Sequence, residues 1–496
     1  MTHQNQPSAP SALLPIWAVA LLAFALVACQ PGNRTPSGEP QAAAPPGPEI
    51  VVQPPVGERI VPNTRGEMMM SLAPVAQSAS PAVVNVFATR DGTRSQGRVY
   101  DDPAMRRFGE GFRGVPRERA EQSLGSGVIV RTDGVVVTNN HVVQGASALR
   151  IITADRREFE ARIVLSDPRT DLAVLQIEGA DQPFPALPFA DTRDVKVGDM
   201  VLAIGNPFGL TQTVTSGIVS AVARTEVGVS DYSFFIQTDA AINRGNSGGA
   251  LVDMTGALVG VNTAIYSQSG GSNGIGFAIP SEMVRRVVES ALADGRVVRP
   301  WLGARVAPVT AGMARGLGLP RPYGVSITQV FPGASADQAG LRPDDIILTV
   351  GGIEIFDEQG LRYQFATQAP GAQVPLSVRR GVETIAMTAI AAAPPEGDAD
   401  ARVLSGRHPL DGAVIVTLSP AAAEDAGLDP FLSGVVVRET AAARPDLMRG
   451  DIIRAINGRP VRNSAEVEQA LRAGRGGQWT IVVERDGQAT EYAYRR

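Results

Sequence analysis

Cysteine is all but missing from this 496-residue chain, which holds only Cys29, so no disulfide can form within it. Histidine is nearly as scarce, with His3, His141 and His408. Three scattered histidines and one cysteine do not make a metal site, and no P-loop is present to cradle a nucleotide phosphate, so neither a metal nor another cofactor is expected. Basic excess is also lacking: 45 Lys and Arg stand against 50 Asp and Glu, a net charge of -5, and nothing steers the chain toward nucleic acid. At this length one core cannot serve, and several domains are expected.

Long apolar runs are absent except near the N-terminus. Residues 13–28 are almost wholly apolar, yet the run is shorter than the roughly 20 residues that span a bilayer and holds Pro15. It ends in Leu26-Val27-Ala28 directly before Cys29. That arrangement resembles the lipobox of bacterial lipoproteins, which implies an acylated Cys29 and, with Gln30 in place of Asp, an outer-membrane destination; an uncleaved inner-membrane anchor and a soluble periplasmic protein are the alternatives. Residues 1–29 are therefore read as the export segment. Residues 30–67, rich in Pro, Ala and Gly without an apolar period, cannot offset chain entropy and read as a tether.

Order is expected from about Met68, where a short helical stretch leads into Val83-Val84-Asn85-Val86-Phe87. The charged insertion at 90–122 is too polar for a core and too long for a hairpin turn. Short β-branched runs follow at 127–130, 134–138, 172–175 and 201–204, without intervening amphipathic helices, the pattern of an all-β sandwich or barrel. A helix over 281–294, opened by Pro280-Ser281 and closed by Gly295, would end a domain spanning 68–296. Beyond it, Gly324-Val325 leading to Asp345-Ile346-Ile347-Leu348 is echoed by Gly434-Val435 leading to Asp451-Ile452-Ile453-Arg454. Each copy then gives a helical stretch around Leu361 or Val467 and an apolar strand with a basic turn. A duplication over 297–394 and 401–496 accounts for this, with the Pro394-Pro395 stretch as linker.

Three segments carry chemistry, in the order His, Asp, Ser: Thr138-Asn139-Asn140-His141, Asp167-Pro168-Arg169-Thr170-Asp171 and Asn243-Arg244-Gly245-Asn246-Ser247-Gly248-Gly249. A serine hydroxyl needs a base, and neutral imidazole suits that task near neutral pH. A carboxylate must hold the other ring nitrogen so that the correct tautomer faces the serine. Two backbone amides must also converge on the oxyanion, and those of Gly245 and Ser247 are the candidates, each contributing on the order of 3 kcal/mol. If Ser247 has a histidine base, His141 is the only one within its domain.

These segments, with Ile204-Gly205-Asn206-Pro207-Phe208-Gly209 and the run from Gln237 through Gly249, resemble the HtrA/Deg family of chymotrypsin-like serine proteases. The likeness runs from Leu72 to the C-terminus. It implies a mainly β architecture, a double β-barrel protease followed by two PDZ domains, acting in the periplasm as an ATP-independent serine endoprotease on misfolded or unfolded envelope proteins. It further implies homotrimers or larger cages, with the 90–122 insertion controlling access or assembly. Ile275, Phe277 and Ile279 alternate along one strand with no acidic residue among them. In relatives that strand borders the specificity pocket, implying cleavage after small or medium aliphatic residues, which unfolded chains expose; an ordinary core strand is the other reading. PDZ resemblance implies capture of C-terminal tails by strand addition, with the carboxylate on the loop Trp301-Leu302-Gly303-Ala304. The second copy offers Leu410-Asp411-Gly412-Ala413, where Asp411 repels a carboxylate, so an assembly role stands beside tail binding. A competing class is a PDZ-based chaperone or scaffold with a largely latent protease domain.

Overall fold

The computed structural model describes residues 71–90, 122–206, 212–224, 234–243, 245–265, 274–293, 295–396, 400–440, 447–473, 478–485 and 487–495. Cys29, the export segment, the tether at 30–67 and the interior of the 90–122 insertion lie outside them.

A short helix, Ala73–Ala79, with Pro74 in its first turn where no donor is needed, leads into the first strand. Valine-rich runs then adopt extended backbone because two heavy atoms on Cβ suit a pleated surface. β1 (Val83–Thr89), β2 (Gln122–Ile129), β3 (Val135–Asn139), β4 (Ala148–Ile152), β5 (Glu158–Asp167) and β6 (Leu172–Ile177) close into a barrel in the order β1-β2-β3-β6-β5-β4. β7 (Met200–Gly205), β8 (Thr213–Arg224), β9 (Phe235–Thr238), β10 (Ala250–Val252), β11 (Leu258–Ile265) and β12 (Gly276–Pro280) close a second, in the order β10-β11-β12-β9-β8-β7. Of the two architectures the strand spacing left open, closure is the one adopted, and it removes free sheet edges. Helix Ser281–Ala293 lays Met283, Val284, Val287, Val288 and Ala291 on the apolar core that the first barrel fills. Gly295 follows it with φ +66°, the left-handed turn that ends a helix.

Each repeat is a sheet with one main flanking helix. The first comprises β13 (Ala304–Pro308), β14 (Val325–Val330), β15 (Ile346–Val350), β16 (Ile353–Glu354), β17 (Gln373–Arg380) and β18 (Glu383–Ile390), ordered β13-β14-β15-β17-β18 with β16 on β15. The second comprises β19 (Ala401–Val403), β20 (Val414–Thr417), β21 (Val435–Glu439), β22 (Ile452–Ile456), β23 (Arg459–Pro460), β24 (Gln478–Arg485) and β25 (Gln488–Arg495), ordered β19-β20-β21-β22-β24-β25 with β23 on β22. Helices Glu358–Ala366 and Ser464–Arg472 are capped alike: Asp357 Oδ1 accepts from the Gly360 amide at 2.7 Å, and Asn463 Oδ1 from the Glu466 amide at 2.9 Å.

Candidate active site

His141 sits in a single helical turn, Asn140–Val143, that β3 runs straight into, and Asp171 ends the turn leading to β6. Since β3 and β6 are paired, both side chains arrive at one end of the first barrel. Asp171 has φ +56°, a left-handed conformation that Asp tolerates better than most residues. The strained backbone is pinned by its own carbonyl, which accepts from the Asn140 amide and Asn139 Nδ2, both at 3.0 Å. Its carboxylate accepts from His141 Nδ1 at 2.9 Å (Oδ2), from the His141 amide at 3.1 Å (Oδ1) and from Thr263 Oγ1 at 2.7 Å (Oδ2). Burial works against a charged imidazole, but the charge of Asp171 and its hydrogen bond outweigh it, and the His141 pKa is raised above 6.5. One turn upstream, Asp167 is held by Thr170 and by the buried guanidinium of Arg299, which fixes the base of the same turn.

Ser247 lies between β9 and β10 of the second barrel, and Ser126 of β2 brackets its loop to the first. The Ser126 amide donates to the Ser247 carbonyl at 2.9 Å, while the Ser126 hydroxyl donates to the Gly245 carbonyl at 2.6 Å and accepts from the Asn206 amide at 2.8 Å. Gly248, at φ +83°, packs so tightly that a Cβ would overlap the Ser126 carbonyl, and one at Gly249 would overlap the Ile204 carbonyl. Glycine is required there by close approach. Gly245 has φ +95°, and its amide and that of Ser247 donate to no acceptor among the described residues. The Ser247 hydroxyl donates to the Thr263 carbonyl at 3.2 Å, and among the described residues no hydrogen bond joins it to His141. Thr263 thus ties the two halves together, its hydroxyl on Asp171 and its carbonyl on Ser247. Sequence reasoning missed Thr263 and Ser126, because neither sits in a motif and each acts across the barrel junction.

Of the strand residues read as pocket walls, Phe277 and Ile279 are 5% and 3% exposed and belong to the core, with Phe235 against Phe277 at 6.0 Å. Ile275 is half-buried against the same core. Ala278, between them, is equally buried in a second cluster, so β12 is covered on both faces.

In the first repeat, Trp301, Leu302, Gly303 and Ala304 line a cavity of about 500 Å³. The carbonyls of Leu302 and Gly303 accept from the Ala336 and Phe331 amides, whereas their own amides donate to nothing among the described residues. Among the described residues β13 is a terminal strand of its sheet, with no strand on its outer side. In the second repeat the matching loop is closed on itself: the Asp411 amide donates to His408, Gly412 to Leu404 and Ala413 to Leu410. β19 already occupies the outer edge of β20, Ala401 opposite Val416 and Val403 opposite Val414, and Leu404 is buried with Val467 and Leu471.

Two β-barrels that hold an imidazole on a buried carboxylate beside a glycine-bracketed serine define a serine peptidase of the trypsin-like class. The trypsin-like peptidase domain matches residues 125–261, and the PDZ domain matches residues 326–380 and 433–485. The chain is 38% identical over 404 residues to the periplasmic pH-dependent serine endoprotease DegQ of Escherichia coli K12, covering 81% of this chain and 87% of that protein. It is 35% identical over 434 residues to the periplasmic serine endoprotease DegP of the same strain, covering 82% and 88%. A solved structure of the HtrA-type protease AlgW with tripeptide is 41% identical, covers 66% of this chain and 99% of that one, and has a TM-score of 0.49. This chain belongs to the HtrA/Deg family of periplasmic serine endoproteases, with the double barrel and two PDZ domains that the family likeness led one to expect.

Proposed function

We propose that Ser247 is the nucleophile of an acyl-enzyme mechanism, His141 its general base and Asp171 the carboxylate that orients the base. The observation that carries this is the continuous link from His141 through Asp171 and Thr263 to Ser247. On substrate binding the Ser247 hydroxyl leaves the Thr263 carbonyl for His141 Nε2, gives up its proton and attacks the scissile carbonyl. The raised pKa of His141 favours holding that proton until the leaving amine takes it. The amides of Gly245 and Ser247, which have no acceptor among the described residues, receive the oxyanion. Water repeats the sequence on the acyl-enzyme.

Substrates are unfolded or misfolded envelope proteins, cut after small or medium aliphatic residues; support comes from the absence of any acidic side chain on 275–279, the strand bearing Ile275, Phe277 and Ile279. The first PDZ domain takes C-terminal tails on the Leu302 and Gly303 amides, which have no acceptor among the described residues, an anion cradle beside the terminal strand β13. Homotrimeric or larger assembly, acylation of Cys29 with tethering to the outer membrane, and domain limits at 68–296, 297–394 and 401–496 complete the reading. A chaperone with a resting protease is favoured by one observation, the Ser247 hydroxyl parked on Thr263.

Casein cleavage by wild type and Ser247→Ala tests the assignment: a loss on the order of 10⁴-fold or more is expected, and equal turnover removes it. Labelling of Ser247 by a fluorophosphonate, with and without unfolded casein, separates a latent from a standing enzyme. The acid limb of kcat/KM should have its midpoint above 6.5, and Asp171→Asn should move it down.

A further inference from the structure

The cavity at the 301–304 loop has apolar walls from both repeats, with Arg169 of the protease domain also in its lining. Leu302, Leu361 and Phe365 come from the first repeat, while Leu428 and Phe431 come from the second. Phe431 is held there by a purpose-shaped turn. Asp429 accepts from the Phe431 amide at 2.9 Å and from the Arg305 guanidinium of β13, and that guanidinium lies over the Phe431 ring at 4.9 Å. The ring packs edge-on against Trp301 at 5.5 Å and Phe331 at 5.8 Å, which themselves meet at 5.6 Å. The loop does not fill the groove. About 500 Å³ stays open between the two walls, within the range of ligand pockets and enough for a few residues of extended chain at about 3.3 Å each along β13.

Resting on the tail-binding reading of the first repeat, we propose that the tail site is composite: the second repeat contributes Phe431 as its outer wall, and the ligand is a short C-terminal peptide with a free carboxylate and an apolar last side chain. The carboxylate sits on the Leu302 and Gly303 amides. The last side chain enters between Leu361 and Phe365, and the peptide lies beneath Phe431. The second repeat, whose own groove is filled by β19 and Leu404, thereby serves its neighbour's ligand.

The test uses the full chain carrying Ser247→Ala and fluorescein-labelled hexapeptides Gly-Ser-Ala-Thr-Val-X, with X Leu, Val, Ile or Phe, as free acids and as C-terminal amides, read by anisotropy. At least one free acid binds and its amide does not. Phe431→Ala weakens that binding about tenfold, the scale of losing one well-packed aromatic wall, and Phe431→Tyr restores it to within about twofold. A melting curve matching the parent shows that Phe431→Ala is folded. Unchanged or tighter binding by Phe431→Ala overturns the composite site while leaving the tail reading standing. Free acid and amide binding alike, or no binding by any peptide, removes the tail reading and the composite site with it.

Discussion

The two PDZ repeats keep the same interior and differ at one edge. Arg380 grips the buried Asp345 through Nε and Nη2, both at 2.7 Å, and Arg485 grips the buried Asp451 in the same manner at 2.6 and 2.7 Å. Arg342 and Met448 donate their amides to the same two carboxylates. Yet among the described residues the first repeat leaves β13 without an outer strand and two loop amides without an acceptor, whereas the second lays its own linker along β20 and closes its loop amides on Leu404, His408 and Leu410. The pair teaches that a duplicated scaffold keeps its buried ion pair and cap while a few edge hydrogen bonds, on which the proposed tail binding depends, can be satisfied from within. Strand addition beside the loop needs that edge unpaired, and among the described residues β13 is a terminal strand whereas β20 is covered by β19.

The sharpest way to break this contrast is at the loops. Gly303 has φ +77°, and a Cβ there would overlap the Ala334 side chain, so Gly303→Val should cost the first repeat on the order of 100-fold or more in tail binding. Asp411→Ala removes the repelling carboxylate from the second, and no tail binding should appear, because Gly412 and Ala413 keep their internal acceptors. Peptide anisotropy decides both; a gain at the second repeat would mean that charge, not self-occupancy, had closed it. Next in size, Leu404→Ala should destabilise the second repeat by about 2–5 kcal/mol, the cost of a buried cavity, while the transition of the first repeat stays put in the same denaturant curve. A negligible change would show that the linker strand merely rests on the sheet.

How far all this could be read from residues alone depends on range. His141, Asp171 and Ser247 could be singled out as candidates because each sits in a local segment with a pattern of its own, as with the glycines at 248 and 249 that let two backbones touch. Thr263 was not legible, since it reaches Asp171 from 92 residues away and offers nothing but a hydroxyl on an apolar strand. The alternation of Ile275, Phe277 and Ile279 suggested one apolar face, but in a closed barrel β12 is covered on both, and alternation no longer marks which side faces a substrate. The second repeat's loop drew suspicion through Asp411, yet the stronger cause, a three-residue strand in a polar linker, carries too little pattern to be recognised. The cavity shared by Leu302 and Phe431 depends on two domains meeting, which no single segment encodes.

The smallest expected effect concerns how the repeats attach to the protease. Tyr363 on the first repeat's helix stacks on Phe234 of the protease at 3.9 Å, and at the equivalent place on the second repeat's helix stands the exposed Gln469. Beside that contact lies Glu282, whose Oε1 accepts from the Thr192 amide at 2.7 Å and whose Oε2 has no hydrogen-bond partner among the described residues. Burial, helped by Asp191, pushes the Glu282 carboxyl up to about 7, and burial with the charge of Glu282 raises the Tyr363 hydroxyl well above its ordinary range. Because the folded chain holds this proton more tightly than the unfolded one, its stability falls as pH rises from about 4.5 to about 7 and levels off above that. Glu282→Gln should flatten that slope, leaving the variant no worse than wild type at pH 5 and more stable at pH 8 by thermal melting. A variant with the wild-type slope would mean that the charge at Glu282 is not what the first repeat's docking must accommodate, and that its attachment is no more sensitive to pH than that of the second.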